Sequence, residues 1–255
     1  ICNSDNSTAR EWDPEALQVG RRGCQDVGVG GRVWLLDSGN RGCGAHADSW
    51  GCVTKKTIHW IKVLVADWMW RPGGASPPLP RVPTSLAFVH IPPPEVMEAW
   101  NDRSAWVRGR RGEGVKCPLE NNDLSMTLRR GAGVGLLLSG HDHLNDFIGM
   151  PNIDGTQFNN QKPSTNQSDH VTSGIKVGYG RKSGHGSYGP PGGGMKVGAR
   201  VVMLRQGQDA SRADTWIRNE NGEIEDQKVG RQAAATWRER LWASKPQTVC
   251  RPFVE

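Results

Sequence analysis

The sequence predicts an α/β fold, in which strands and helices alternate along the chain and pack in layers. Short apolar runs bounded by glycine or proline predict strands over 32–37, 86–90 and 134–139, and further strands over 175–178 and 200–204. Apolar residues recur at helical spacing between the first two of these runs. The 33 glycines and 16 prolines predict that loops occupy much of the 255 residues.

Helices are expected between these strands. The first begins after Thr54, a residue type that caps helix N-termini. Its apolar residues share one face: Ile58, Ile61, Leu64, Val65 and Trp68. Later helices are expected over 95–106, 123–130 and 232–243.

The chain is expected to have three parts. Residues 1–31 show little periodicity and predict an irregular N-terminal segment, 32–206 carry the α/β pattern, and 207–255 form a polar C-terminal extension. Within the middle part, 151–173 are polar and predict a disordered or loose loop. The chain starts at Ile1 without a signal sequence. A processed start and an absent N-terminal part are both compatible with that.

Charge and hydropathy argue against nucleic-acid binding and against a membrane-spanning protein. The net charge of +6 comes from scattered residues, with no basic face or aromatic platform, so nucleic-acid binding is not expected. No apolar run reaches the roughly 20 residues that span a bilayer, so a membrane-spanning protein is not expected either. A mildly basic surface suits phosphorylated substrates.

The six cysteines contain no CxxC pair, which argues against a zinc ribbon. Within the predicted loop over 37–52, Cys43 and Cys52 flank a glycine-rich stretch short enough to close and are candidates for a disulfide; two buried thiols are the alternative. Sequons at Asn6 and Asn166 are compatible with a secretory or vacuolar location, but a cytoplasmic one is equally open.

Two histidines one residue apart follow the apolar strand at 134–139, in the stretch LLLSGHDHLNDF. On an extended segment His141 and His143 point the same way, and Gly140 lets the backbone turn. Because open α/β sheets bind ligands at the carboxyl ends of their strands, this pair predicts a metal site. His90 likewise ends a strand, before three prolines. The alternatives are solvated loop histidines and, for His90, a structural histidine.

The stretch GHGSYG matches the pattern GxGxxG through Gly184, Gly186 and Gly189. A dinucleotide site needs a helix directly after this pattern, whereas Pro190 and Pro191 follow instead. The stretch therefore predicts a glycine-rich connection between two strands.

FVHIPPPEV and LLLSGHDHLNDF resemble the last two metal motifs of calcineurin-like metallophosphoesterases, in particular the purple acid phosphatase-like branch. Three more stretches resemble that branch in the same order: WLLDSGNRGCG, WGCVTKKTIHWI and YGRKSGHGSYGP…GARVVML. The resemblance covers roughly 32–204. It implies the C-terminal portion of a four-layer αββα sandwich with loop-rich ends, and a two-metal hydrolase.

The resemblance also implies roles for individual residues. His90 and His141 would bind one metal ion and His143 the other. Three polar residues next to the histidines would orient the loop or the histidine rings without binding a metal themselves: Asp142, Asn145 and Asp146. Tyr179 and Arg181 would lie near the substrate. The metals would be two divalent or trivalent ions (Fe, Zn or Mn), and the substrate a phosphorylated small molecule or a phosphoprotein.

Three expected motifs are missing from residues 1–89: DxH, GDxxxD and GNH(D/E). Asn40 is followed by Arg41 where GNH would need histidine. The chain is therefore expected to be the C-terminal half of a phosphomonoesterase domain that hydrolyses its substrate only in complete form, and to be inactive alone. The alternative is a truncated or degenerate domain that serves as a non-catalytic binding module.

Overall fold

The structure, a computed structural model, describes residues 31–69, 84–101, 107–151, 174–189, 195–205, 208–225, 227, 247 and 249–250. Residues 1–30 of the predicted N-terminal segment, almost all of the predicted loop at 151–173 and the predicted helix at 232–243 lie outside these ranges. The structure divides into two units, residues 1–30 and 31–255, and all described residues belong to the second.

The described residues contain eleven strands and three helices. The strands are β1 (Gly31–Leu36), β2 (Arg41–Cys43), β3 (His46–Trp50), β4 (Thr84–Val89), β5 (Val107–Arg108), β6 (Val134–Ser139), β7 (Ile148–Gly149), β8 (Lys176–Tyr179), β9 (Gly198–Met203), β10 (Asp214–Asn219) and β11 (Ile224–Glu225). The helices are α1 (Lys55–Met69), α2 (Pro94–Asn101) and α3 (Leu124–Met126), which continues as a π-helical turn over Thr127–Gly131.

A six-stranded mixed sheet lies at the centre of the fold, in the order β1-β4-β6-β8-β7-β5. The first four strands are parallel, and β7 and β5 are antiparallel to their neighbours. Every residue of β6 is buried, as expected for a parallel strand covered on both faces. The mixed α/β fold expected from the sequence is thus present, with the five predicted strands found within two residues of their expected bounds.

Helices cover one face of this sheet. The predicted cap of α1 is confirmed, because Thr54 Oγ1 accepts a hydrogen bond of 3.2 Å from the Thr57 N–H. Ile58, Ile61 and Val65 of α1 are buried in the main core. Pro94 begins α2, a position that suits its missing N–H. Among the described helices, none has the length and hydropathy needed to cross a membrane.

A three-stranded antiparallel sheet, β11-β10-β9, lies on the other face. Leu136 and Leu138 of β6 pack there with Leu86, Ile148 and Ala210. The sequence pattern did not predict β10 or β11, because in β10 only Trp216 and Ile217 are strongly apolar. Helices, the central sheet and this second sheet give three described layers.

The stretch at 37–52 was predicted to be a loop, but part of it forms a hairpin of β2 and β3. Positive φ angles at Gly42 and Gly44 allow the tight reversal. The predicted disulfide is confirmed: Cys43 and Cys52 are bonded, with their Cα atoms 5.3 Å apart.

A second disulfide joins Cys117 to Cys250, 133 residues further along the chain. Gln247 reinforces this connection, since its Nε2 donates to the Val115 carbonyl at 2.7 Å. In the chain-entropy model, a crosslink closing a loop of this length stabilises by about 5 kcal/mol. The segment that carries Cys250 is therefore anchored to the segment that carries Cys117.

Gly135 in β6 lies directly against the turn that joins β9 to β10. A Cβ atom at this position would lie 2.2 Å from Ser211 N and 2.3 Å from Asp209 Oδ1. We expect Gly135→Ala to lower the free energy of unfolding by about 1–3 kcal/mol, because the backbone must shift to admit a methyl group. Urea denaturation monitored by tryptophan fluorescence measures the change.

Gly131 provides the matched control, since no atom lies within 4 Å of a Cβ built there. Gly131→Ala should change the free energy of unfolding by less than half as much as Gly135→Ala. Equal effects at both positions would contradict the close packing at Gly135.

Asp209 caps the 3₁₀ turn Ala210–Arg212 and bonds Arg129 Nη1 at 2.8 Å. Burial raises the pKa of Asp209, but the Ser211 N–H and the Arg129 guanidinium outweigh it, so the pKa is lowered. Its contribution to stability is thus present above the ordinary aspartate pKa of about 3.9 and is lost as pH falls through the folded value.

In urea titrations, Asp209→Asn should be less stable than wild type at pH 7 and converge with it in acid. Asp48→Asn, at an exposed side chain, should follow the wild type throughout.

Candidate metal centre

His90 and His141 meet at the carboxyl ends of two neighbouring parallel strands. Val89 of β4 pairs with Ser139 of β6, and the Gly140 N–H continues the ladder by donating to the His90 carbonyl at 3.1 Å. This register places His90 Nε2 3.3 Å from His141 Nδ1. Two of the three predicted ligands are therefore brought together.

Gly140 makes this approach feasible, because a Cβ there would lie only 3.3 Å from His90 Nδ1. The next residue, His141, has a φ of +22°, a value that non-glycine residues seldom adopt. Such local strain concentrates at functional sites and must be held by the surrounding structure.

The hairpin of β2 and β3 supplies a wall for this pair. Trp50 contacts the His141 ring in an edge-to-face arrangement, with ring centroids 4.4 Å apart. Burial, the neighbouring His90 ring and then Lys116 lower the pKa of His141 to about 4. At neutral pH His141 is thus an uncharged imidazole, the form that binds metals. Sequence reasoning did not assign Trp50 a role.

The 3.3 Å separation suits two ligands of one metal ion. Two Zn–N bonds of about 2.0–2.1 Å at a tetrahedral angle place their nitrogens about 3.3 Å apart. A hydrogen bond between the two imidazoles would have a similar length, so the distance accommodates either arrangement. Among the described residues, no three histidine, cysteine, aspartate or glutamate side chains form a metal-binding group. These residues do not complete a two-metal centre, and the three-histidine ligand set stays a prediction.

His143 is held separately from that pair. Its Nδ1 lies 2.9 Å from the Tyr188 carbonyl oxygen, and its ring stacks on the Tyr188 ring with centroids 4.3 Å apart. Sequence reasoning missed Tyr188, although it lies in the GHGSYG stretch. The signal was a tyrosine in a glycine-rich connection that follows β8.

Asp142 is 1% exposed and turns away from the histidines. Its carboxylate accepts from Lys116 Nζ at 3.0 Å and from the Tyr179 hydroxyl at 2.6 Å. Burial raises the pKa of Asp142 to about 6, against the lowering by Lys116 and Tyr179. The pKa of Lys116 is itself raised, since Asp142 and Glu113 outweigh the effect of burial. Asp142 and Lys116 therefore form a charged pair at pH 7.

Asn145 and Asp146 are also buried. They connect the loop between β6 and β7, which carries His141 and His143 and is called the histidine loop below, to the segment before Cys117. Asn145 Oδ1 accepts from the N–H groups of Gly112 and Glu113, and Asp146 Oδ1 accepts from the Arg110 N–H at 2.6 Å. These contacts fit the predicted role of orienting the loop. A direct role towards the histidine rings stays a prediction.

Tyr179 and Arg181, predicted to lie near the substrate, are buried beneath the loop, with exposures of 0% and 7%. Arg181 Nη2 bonds Asp146 Oδ2 at 2.6 Å and also pairs with Glu225. Both side chains thus support the carboxylates behind the histidines. Their predicted contact with a substrate stays a prediction.

Two curated proteins of Arabidopsis thaliana are similar to this chain. One, named probable inactive purple acid phosphatase 28, is 29% identical over 184 residues, which cover 72% of this chain and 38% of that protein. The relatives of this chain are purple acid phosphatase-like proteins. The second, named probable inactive purple acid phosphatase 29, is 25% identical over 176 residues, covering 68% of this chain and 38% of that protein.

These relatives confirm the resemblance drawn from the two histidine motifs. The chain spans well under half the length of the curated relatives it matches. No protein-family model matches the chain, and no solved structure matches it.

The buried Arg181–Asp146 pair should dominate the stability of the histidine loop. Replacing Arg181 by Leu leaves the Asp146 carboxylate buried without its cation, which typically costs about 3–5 kcal/mol. We expect a loss of that size in urea denaturation. Arg181→Lys should recover only part of it, since an ammonium lacks the fork that contacts both Asp146 and Glu225.

Arg205→Gln is the matched control, because Arg205 pairs with Asp214 at the surface, with side chains 51% and 61% exposed. Exposed pairs contribute about 0–1 kcal/mol. If Arg181→Leu were no more destabilising than Arg205→Gln, the buried pair would not hold the loop.

Proposed function

We propose that this chain is the histidine-bearing C-terminal portion of a purple acid phosphatase-like domain, and that it takes part in phosphomonoester hydrolysis only when the remaining metal ligands are supplied. By itself it is not hydrolytic. The observation that carries the proposal is the 3.3 Å separation of His90 Nε2 and His141 Nδ1 at the ends of β4 and β6. This geometry offers one metal ion two nitrogen ligands.

The carboxylates next to the histidines support the second half of the proposal. Asp142 is engaged by Lys116 and Tyr179, and Asp146 by Arg181 and the Arg110 N–H. Turning Asp146 towards a metal would break a buried charge pair, which costs about 3–5 kcal/mol. Turning Asp142 would break its bonds to the partly exposed Lys116 and to the buried Tyr179 hydroxyl. We therefore expect a ligand that bridges two metals to come from the DxH, GDxxxD or GNH motifs that the resemblance implies, and residues 1–89 contain none of these.

We also propose that the complete domain is a four-layer αββα sandwich. It is supported by the uneven cover of the central sheet. Near β6 the second sheet buries Leu136 and Leu138, whereas Val33, Leu35 and Phe88 on β1 and β4 are 61%, 77% and 38% exposed. Additional strands of a complete second sheet would bury this apolar surface, as proteins seldom leave such a surface open without a use.

In the complete domain, two Fe, Zn or Mn ions would occupy the centre, and the substrate would be a phosphorylated small molecule or a phosphoprotein. Lys182 supports an anionic substrate, because its Nζ lies 3.4 Å from His143 Nδ1 and places positive charge beside the histidine loop. We retain 32–206 as the phosphoesterase portion, flanked by the N-terminal segment and the C-terminal extension.

A non-catalytic binding module is the second candidate function. The engaged carboxylates favour it, and so do the names of the two relatives, which describe those proteins as inactive. In that case the fold would persist without turnover even when the three absent motifs are added.

Metal binding and turnover of the chain test the proposal directly. In calorimetric titrations with Zn²⁺ or Mn²⁺, we expect a weak binding event that His141→Ala removes, since two imidazoles are an incomplete ligand set. Hydrolysis of a generic aryl phosphate should stay at the buffer background, because a lone metal cannot clamp both the attacking and the leaving oxygen.

His59→Ala serves as the control, since His59 is exposed on α1, and it should bind metal as the wild type does. Supplying the three absent motifs in a longer chain should produce metal-dependent turnover, lost again on His141→Ala. A longer chain that binds metal without turnover would favour the binding module. Robust turnover by the 255-residue chain would refute the proposal.

A further inference from the structure

Tyr188 makes three separate contacts with His143. Its carbonyl oxygen lies 2.9 Å from His143 Nδ1, its ring stacks on the imidazole at an interplanar angle of 16°, and its hydroxyl accepts from the His143 N–H at 3.3 Å. One residue therefore fixes the position of the His143 backbone, the plane of its ring and the surroundings of one ring nitrogen.

The hydroxyl of Tyr188 is itself anchored. It donates to Glu113 Oε1 at 2.9 Å and accepts from Lys116 Nζ at 3.1 Å. Glu113 Oε1 also accepts from the Leu144 N–H at 2.9 Å. Tyr188 is thus connected to the histidine loop both directly and through the Glu113–Lys116 pair.

The backbone on either side of Tyr188 is shaped for this contact. Ser187 and Gly189 both have a φ of +63°, and for serine this conformation is unfavourable. A Cβ on Gly189 would lie 2.7 Å from Leu144 Cδ2, so the connection presses directly against the histidine loop. By contrast, Gly184 and Gly186 of the same stretch have no atom within 4 Å of a Cβ position.

We propose that Tyr188 is a positioning residue that holds His143 as the Nδ1–H tautomer and leaves Nε2 as the nitrogen with the available lone pair. A carbonyl oxygen can only accept, so the 2.9 Å contact places the proton on Nδ1. Metal-binding histidines are commonly oriented in this way by a backbone carbonyl. The use of Nε2 as a metal ligand rests on the proposed function, whereas the tautomer does not.

Lys182 is the competing partner. Its Nζ lies 3.4 Å from the same Nδ1 and also donates to the Gly186 carbonyl. If Lys182 donated to Nδ1, that nitrogen would carry the lone pair and the proton would sit on Nε2. The Tyr188 carbonyl oxygen lies 2.9 Å from His143 Nδ1, whereas Lys182 Nζ lies 3.4 Å from it. The shorter carbonyl contact favours the Nδ1–H form.

The tautomer can be observed in the metal-free chain by long-range ¹H–¹⁵N correlation NMR with ¹⁵N-labelled histidine. At about pH 8, above the ordinary imidazole pKa of about 6.5, the neutral tautomers give distinct cross-peak patterns. His143→Asn identifies the signals by their disappearance. We expect a single pattern with the proton on Nδ1.

Variants separate the contacts. Tyr188→Phe keeps the stacked ring and should retain the pattern. Tyr188→Ala keeps the backbone carbonyl but removes the stacked ring and the hydroxyl contact that hold this carbonyl against His143, so it should give a mixture of tautomers. Gly189→Ala should do the same, because alanine is strained at the φ of +63° that this position adopts and the connection must rearrange. Gly184→Ala, in the open part of the stretch, and Lys182→Met should leave the pattern unchanged. Circular dichroism confirms that each variant remains folded.

A single Nε2–H pattern in the wild type would overturn the proposal, and so would a change of tautomer caused by Lys182→Met. An unaltered pattern in Tyr188→Ala and Gly189→Ala would also overturn it. Because the readout contains no metal, loss of the proposed metal binding at His90 and His141 would leave this result unaffected.

Discussion

Parallel pairing of β4 with β6 is the constraint on which the candidate site depends. The two strands are in register up to Val89 and Ser139, and the Gly140 N–H extends the ladder to the His90 carbonyl. Both strands end where the chain turns, at three prolines in one case and at a glycine in the other. The histidines that follow must therefore meet, and no long-range side-chain contact is needed to bring them together.

The loop that carries His141 and His143 is held by its own polar side chains. Asp142, Asn145 and Asp146 are all buried, and each is bonded to a segment distant in sequence. Buried charges are tolerated only when they are paired, so the partners Lys116 and Arg181 are as necessary as the acids themselves. The same bonds that fix the loop remove its carboxylates from metal chemistry. The loop gains a defined shape, and only its histidines stay available as ligands.

The parts of this arrangement that were predicted from the sequence are those with a local signal. The end of an apolar run followed by histidine identified β4, β6 and the meeting of His90 with His141. Cys43 and Cys52 could be paired because a short glycine-rich stretch separates them. Cys117 and Cys250 could not, since 133 residues intervene and composition carries no information on such a pairing. Tyr188 was missed for the same reason: its contact with His143 depends on how the connection after β8 folds back.

Electrostatics explains why, under the proposed function, the His90–His141 pair alone would make a poor catalytic centre. Imidazole ligands carry no charge, so a dication bound by His90 and His141 would keep its full charge. The cationic Lys116 already acts on His141 and helps to lower its pKa. Glu113 acts on His141 as an anion, but its carboxylate is engaged by Lys116 and Tyr188. Repulsion between unit charges a few ångströms apart amounts to several kcal/mol at the effective dielectric of a protein. A second metal ion would add to this repulsion, so an additional carboxylate has to arrive with the second metal. Under the proposed function, the histidines at the ends of β4 and β6 and the carboxylates of the DxH and GDxxxD motifs would therefore balance the charge of the metal ions together.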